Sequence, residues 1–119
     1  HGGALFGDGF EIHNSLFVDN TAGNPWNQAN NCGATGTGDH VMQWRSESGD
    51  AGGDLCVPEV LGADPGLLAS AADNGGPTPT LLLTSGSPAL QAGSGCELFD
   101  QRGESRNEDE CDLGAVELP

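Results

Sequence analysis

Apolar residues come in short bursts along this chain and never in long runs. "ALF", "FEIHNSLFV", "HVMQW", "LLLT" and "CDLGAVEL" are separated by stretches of Gly, Pro, Asn, Asp, Ser and Thr. Short apolar runs bounded by turn formers predict strands and tight turns, with no helix. In "FEIHNSLFV" the alternation sets Phe10, Ile12 and Asn14 on one face, then breaks down after Ser15, where Leu16, Phe17 and Val18 are all apolar. A flat strand keeps its alternation, whereas a chain that turns a corner every few residues resets it. The pattern therefore predicts a coil of a parallel β-helix, whose short strands stack on those of neighbouring coils at about 4.8 Å.

Composition narrows the partners. The 119 residues suffice for one domain with a modest core. Eighteen acidic residues face three basic ones, for a net charge of −15, and the only cations are Arg45, Arg102 and Arg106. A surface this negative repels phosphate backbones and anionic headgroups, which argues against nucleic-acid and membrane-surface partners. No run approaches the roughly 18 apolar residues of a membrane span. The abrupt opening at His1, without a recognisable leader, reads as a cut made by processing.

Cys32, Cys56, Cys96 and Cys111 are an even number in an acidic, Gly-rich chain, which suits disulfides and an oxidising, extracellular compartment. Of three possible pairings, sequence order favours Cys32–Cys56 with Cys96–Cys111. Each bridge would stabilise by about 3 kcal/mol. A zinc site would bring cysteines closer together in sequence than these are.

Candidate chemistry is sparse. Asp39, Glu47, Asp50 and Asp54 accompany glycines around the first pair of cysteines, and Glu104, Glu108, Asp109, Glu110 and Asp112 crowd the second. Oxygen ligands on loops suit Ca²⁺, with Asp39, Asp50 and Asp54 the candidates. No calcium-loop motif orders them, and solvated surface is the preferred reading; no other cofactor is expected. His1, His13 and His40 are scattered, and the serines form no G-x-S-x-G elbow. Trp26 and Trp44 could stack on sugars, although such aromatics more often fill a corner.

Two stretches carry a family resemblance. "GGALFGDGFEIHNSLFVDNTA" resembles the repeat of right-handed parallel β-helix proteins of the pectate-lyase-like class. "DPGLLASAADNGGPTPTLLLTSGSPALQAG" followed by "DQRG" and "CDLGAVE" resembles the C-terminal module of large bacterial surface proteins, the choice-of-anchor Q domain proteins, over residues 64–117. "NCGATGTGD" and "GDLC" sit where that family has a cysteine-bracketed irregular coil, while Gln91 stands where it generally has Asp.

The resemblance implies a short all-β, right-handed parallel β-helix. Coils would occupy residues 1–63, and a last coil with a disulfide-tied cap residues 64–119, in one continuous domain. In that cap Arg102 is expected to clamp Asp112 or Glu117, with Asp100 beside it; the alternative is a polar site of the same residues. An open first coil would expose Leu5 and Phe6 as an interface for another chain or a filament. The implied function is that of a non-enzymatic structural or adhesive cell-surface protein. A polysaccharide lyase or carbohydrate-binding fragment is the alternative. A lyase needs a cation beside carboxylates, and a groove where Arg45 meets two of them would favour it. No catalytic residue is assigned.

Overall fold

The segments Glu11–Val18 (β1) and Thr37–Trp44 (β2) pair in parallel, from Glu11 opposite Thr37 to Val18 opposite Trp44. The computed structural model describes residues 2–23 and 30–119, so His1 and Trp26 lie outside the described residues. The ladder is interrupted at one level. Asn14 and His40, which stand level with each other between the pairs His13–Asp39 and Ser15–Val41, have φ of 49° and 50°. A left-handed residue turns the next side chain to the other face, and Asn and His tolerate that conformation better than branched residues do. The break in alternation in "FEIHNSLFV" falls at a bend that both strands make side by side, and past it Phe17, not Leu16 or Val18, packs against the core as Ile12 does before it.

Gly38 makes the close approach possible: a Cβ there would lie 1.7 Å from the Ile12 carbonyl oxygen. Behind the strands, Ile12, Cys32, Val41, Cys56 and Val57 form the core, with Leu5, Phe10, Phe17 and Val60 packed against it. β2 is buried over three consecutive residues, Val41, Met42 and Gln43. Its Met42 pairs with Leu16 on one side and bridges Leu61 in parallel on the other.

The chain divides after Asp64, and the second unit, Pro65–Pro119, is built differently. Its bridges, Leu67–Leu83, Ala72–Thr80 and Phe99–Ser105, are single and antiparallel. Leu83, Ala89, Cys111, Leu113 and Val116 are buried there, although none lies in a strand.

These observations overturn the expected right-handed parallel β-helix. Among the described residues only β1 and β2 form strands, and every other pairing is an isolated bridge. A β-helix requires each coil to place a strand on the strand before it. Here the local pattern of one coil is present, but beyond Leu61 the apolar residues alternate with turn formers and the chain folds back on itself. "LLLT" illustrates this: Leu81 is exposed, Leu83 is buried, and the Leu82 carbonyl accepts the Leu68 N–H at 2.9 Å. "CDLGAVEL" is no final strand either; Leu113 reaches the Ala89 carbonyl through one hydrogen bond of 2.9 Å. No helix among the described residues is long and apolar enough to cross a membrane.

Disulfides join Cys32 to Cys56 and Cys96 to Cys111. They are consistent with an oxidising environment.

Candidate functional site

In the N-terminal unit, one buried side chain organises the loop that follows β2. Gln43 is 1 % exposed; its amide donates to the carbonyls of Ala51 and Asp54 at 2.7 and 2.9 Å, and its Oε1 accepts the Cys56 N–H at 2.9 Å. Asp19 holds the other end, accepting the N–H and hydroxyl of Ser46 at 2.8 and 2.6 Å. Asn31, fully buried, accepts from Asn20 and donates to the Trp44 carbonyl.

This loop encloses an open groove of about 490 Å³, lined by Asn30, Arg45, Glu47, Ser48, Asp50 and the glycines 52 and 53. The volume is within the range of roughly 300–1,000 Å³ common for small-ligand sites. Arg45, largely buried, pairs with the exposed Glu47 at 3.1 Å, and its stem lies against Gly52, where a Cβ would be 2.3 Å from Cδ. Asp50 Oδ1 accepts the Ser48 hydroxyl at 2.6 Å and the Gly52 N–H at 2.7 Å. Those two bonds, with the nearby Arg45 charge, hold its carboxyl below the usual range. Arg45 and two carboxylates thus line one groove, but its guanidinium is already engaged by Glu47.

On the strands, sequence reasoning treated the histidines as scattered, and the structure brings two together. His13 Nδ1 lies 2.7 Å from Asp39 Oδ1, its Nε2 lies 2.8 Å from Glu11, and His40 Nδ1 is 3.1 Å from the same Asp39 oxygen. The bond to Asp39, then that to Glu11, raises the His13 pKa, and the two histidines lower that of Asp39. The signal available in advance was parallel register, which sets His13 beside Asp39.

The calcium candidates do not assemble. Asp39 serves the histidines, Asp50 closes its own turn, and Asp54 accepts the Asn30 amide at 3.0 Å. Among the described residues no group of three or more His, Cys, Asp or Glu is arranged to hold a metal ion.

In the C-terminal unit the expected clamp residues Asp100, Arg102, Asp112 and Glu117 do gather, with different partners. Arg102 pairs with Asp100 at 2.8 Å rather than with the Asp112 or Glu117 carboxylate, and its other contacts are the carbonyls of Glu117 at 2.6 Å and Asn74 at 3.4 Å. The pairing follows from a tight turn over residues 100–103, in which the Gly103 N–H returns to the Asp100 carbonyl at 3.0 Å. Asp100 also accepts the N–H groups of Arg102, Glu104 and Glu117. Burial works to raise its pKa, and these donors together with the Arg102 side chain outweigh it.

Arg106, which sequence reasoning passed over, takes Glu117. It lies 3.1 Å from that carboxylate and donates to the carbonyls of Asp112 and Gly114 at 2.9 and 2.6 Å. Asp112 is buried and accepts the N–H groups of Gln91 and Leu118 at 2.9 and 2.8 Å. Every one of these contacts ties loop to loop.

Of the expected interface pair, Leu5 packs against the core and bridges Cys32, whereas Phe6 is 71 % exposed. Leu5 is partly buried, and its carbonyl accepts the Gly33 N–H at 2.8 Å. Comparison with known protein families, curated proteins and solved structures finds no match for this chain.

Proposed function

We propose that this chain is a non-enzymatic structural or adhesive domain of an extracellular or cell-surface protein, engaging another chain through its N-terminal unit. One observation carries the reading. All three cations in the chain are committed to internal ion pairs, Arg45 to Glu47, Arg102 to Asp100 and Arg106 to Glu117. Chemistry on an acidic polymer needs a cation free to neutralise developing charge beside an accessible base. Here the guanidinium groups of Arg102 and Arg106 brace loops of the C-terminal unit, and that of Arg45 is held within its own loop. Two disulfides and similarity of the C-terminal motifs to the choice-of-anchor Q proteins support an extracellular setting.

The groove at Arg45 favours a second reading, a carbohydrate site or the remnant of a polysaccharide lyase. Incubating the chain with polyuronate and Ca²⁺, and following the absorbance of unsaturated ends, separates the two. No turnover is expected. Turnover that Arg45→Ala abolishes would replace the structural reading with the lyase one.

A further inference from the structure

Among the described residues β1 has a partner strand on one edge only. The sheet holds two strands, and no bridge among the described residues falls on the other edge of β1. Alternation along the strand tells which backbone groups face that edge. Thr37 donates its N–H to the Phe10 carbonyl at 3.0 Å, and Gly38 lies against the Ile12 carbonyl. The backbone groups of Phe10 and Ile12 therefore face β2, and those of Glu11 and His13 face away from it. In keeping with this, the His13 carbonyl accepts the Ser15 hydroxyl at 2.7 Å, a local bond to one lone pair of a group outside the ladder.

That edge has a shape as well as donors and acceptors. Asn14 bends β1 at φ 49°, and β2 follows the bend because its own His40 is left-handed at the same level. A strand extended throughout would part from β1 at Asn14. We propose that the outer edge of β1 accepts a parallel strand from a partner chain and selects it by a residue able to adopt left-handed backbone level with Asn14. Gly, Asn, Asp and His qualify, and β-branched residues do not. The proposal rests on the reading of the N-terminal unit as a protein-binding module.

Parallel direction follows the rest of the unit, since β1 with β2, Leu5 with Cys32 and Met42 with Leu61 are all parallel. Charge sets the partner's chemistry. Glu11 is exposed on the edge strand itself and the chain carries −15, so the incoming strand is neutral or basic. A second copy would bring the same negative charge within a Debye length of about 8 Å. Both edges of its β2 are in use as well, one by β1 and the other, at Met42, by Leu61.

Two synthetic peptides test this, each with the β2 sequence and Asp39→Lys to remove like charge. One carries His40→Gly, the other His40→Val. Each is titrated into the full chain while amide exchange is followed residue by residue. The Gly peptide is expected to slow exchange at Glu11 and His13 and to bind about tenfold more tightly than the Val peptide, the factor that roughly 1.4 kcal/mol of backbone strain gives. Equal affinity, or exchange at Glu11 and His13 that neither peptide changes, would overturn the proposal. Slowing that grows with protein concentration in the absence of peptide would give the edge to a second copy and overturn it too. Polysaccharide turnover would sink the structural reading without altering exchange at the edge, so the two failures are separable.

Discussion

Gln43 Oε1 accepts the N–H of Cys56 at 2.9 Å, which ties the second cysteine of a buried disulfide to the end of β2. The same side chain donates to Ala51 and Asp54, so three backbone groups of one loop depend on it. An unsatisfied buried polar group costs about 1–3 kcal/mol. Gln43→Leu is therefore expected to destabilise the N-terminal unit by about 3 kcal/mol, read from denaturant unfolding. Cleavage by a nonspecific protease is expected to move into residues 45–56. An unchanged midpoint would show that the disulfide alone holds the loop.

Arg106 braces the end of the chain more directly than Arg102 does. Removing it leaves the Asp112 and Gly114 carbonyls without their donor in a region shielded from water, and the Glu117 carboxylate with only the N–H groups of Asp112 at 2.9 Å and Asn107 at 3.5 Å. Breaking a buried pair by deleting one partner costs about 3–5 kcal/mol. Arg106→Ala is expected to fall in that range by thermal unfolding. Arg102→Ala is expected at its lower end, about 3 kcal/mol, because Asp100 keeps the N–H groups of Arg102, Glu104 and Glu117. Lysine should rescue neither fully, since each arginine serves several acceptors in a fixed plane. A larger loss for Arg102→Ala than for Arg106→Ala would reverse this assignment.

Some of this was legible in the residues and some was not, for physical reasons. The bend at Asn14 shows only as a break in the alternation of "FEIHNSLFV", where the core-facing position passes from Ile12 to Phe17. Its counterpart at His40 does not show, because β2 is enclosed on both sides and "VMQ" is buried without alternation. Gln43 is concealed for the same reason: one polar residue in an apolar run does not reveal whether its hydrogen bonds are met inside. Arg102 reads as a clamp from its scarcity, but its pairing with a residue two positions away depends on the turn at Gly103. Arg106, set in "GESRNEDEC", has the appearance of solvated surface. The β-helix expectation failed because a single coil's pattern is local, while the fold needs that pattern to recur on neighbours farther along the chain.

The link between His13 and Asp39 gives the β1–β2 pair a pH window. The His13 pKa is raised above its ordinary value of 6.5, so its contribution is full below 6.5 and is lost as pH rises through the folded value. The Asp39 pKa is lowered from 3.8, so its contribution is full above 3.8 and is lost as pH falls through the folded value. Glu11 on the other side of His13 and His40 beside Asp39 complete the charged neighbours. Unfolding temperature is expected to be highest between these two limits, with a small amplitude because the groups are exposed. His13→Gln should flatten the alkaline side of the profile and leave the C-terminal unit unchanged. A profile that keeps its alkaline fall in that variant would move the effect to another group.

The two disulfides differ in access more than in the loops they close. Their sequence separations are 24 and 15, and loop entropy makes them worth about 3.4 and about 3 kcal/mol, too close to separate them. Burial does separate them. Cys32 and Cys56 are both fully buried within the core beside Ile12, Val41 and Val57. Cys96 is half-buried, next to Gly95 and the exposed Glu97. A thiolate must reach one of the sulfurs to open a bridge. Under mild reductant Cys96–Cys111 is therefore expected to open first, while Cys32–Cys56 waits for unfolding of the N-terminal unit. Timed alkylation followed by peptide mapping reads the order. Labelling of Cys32 and Cys56 before Cys96 would mean that the N-terminal core opens more readily than its burial implies.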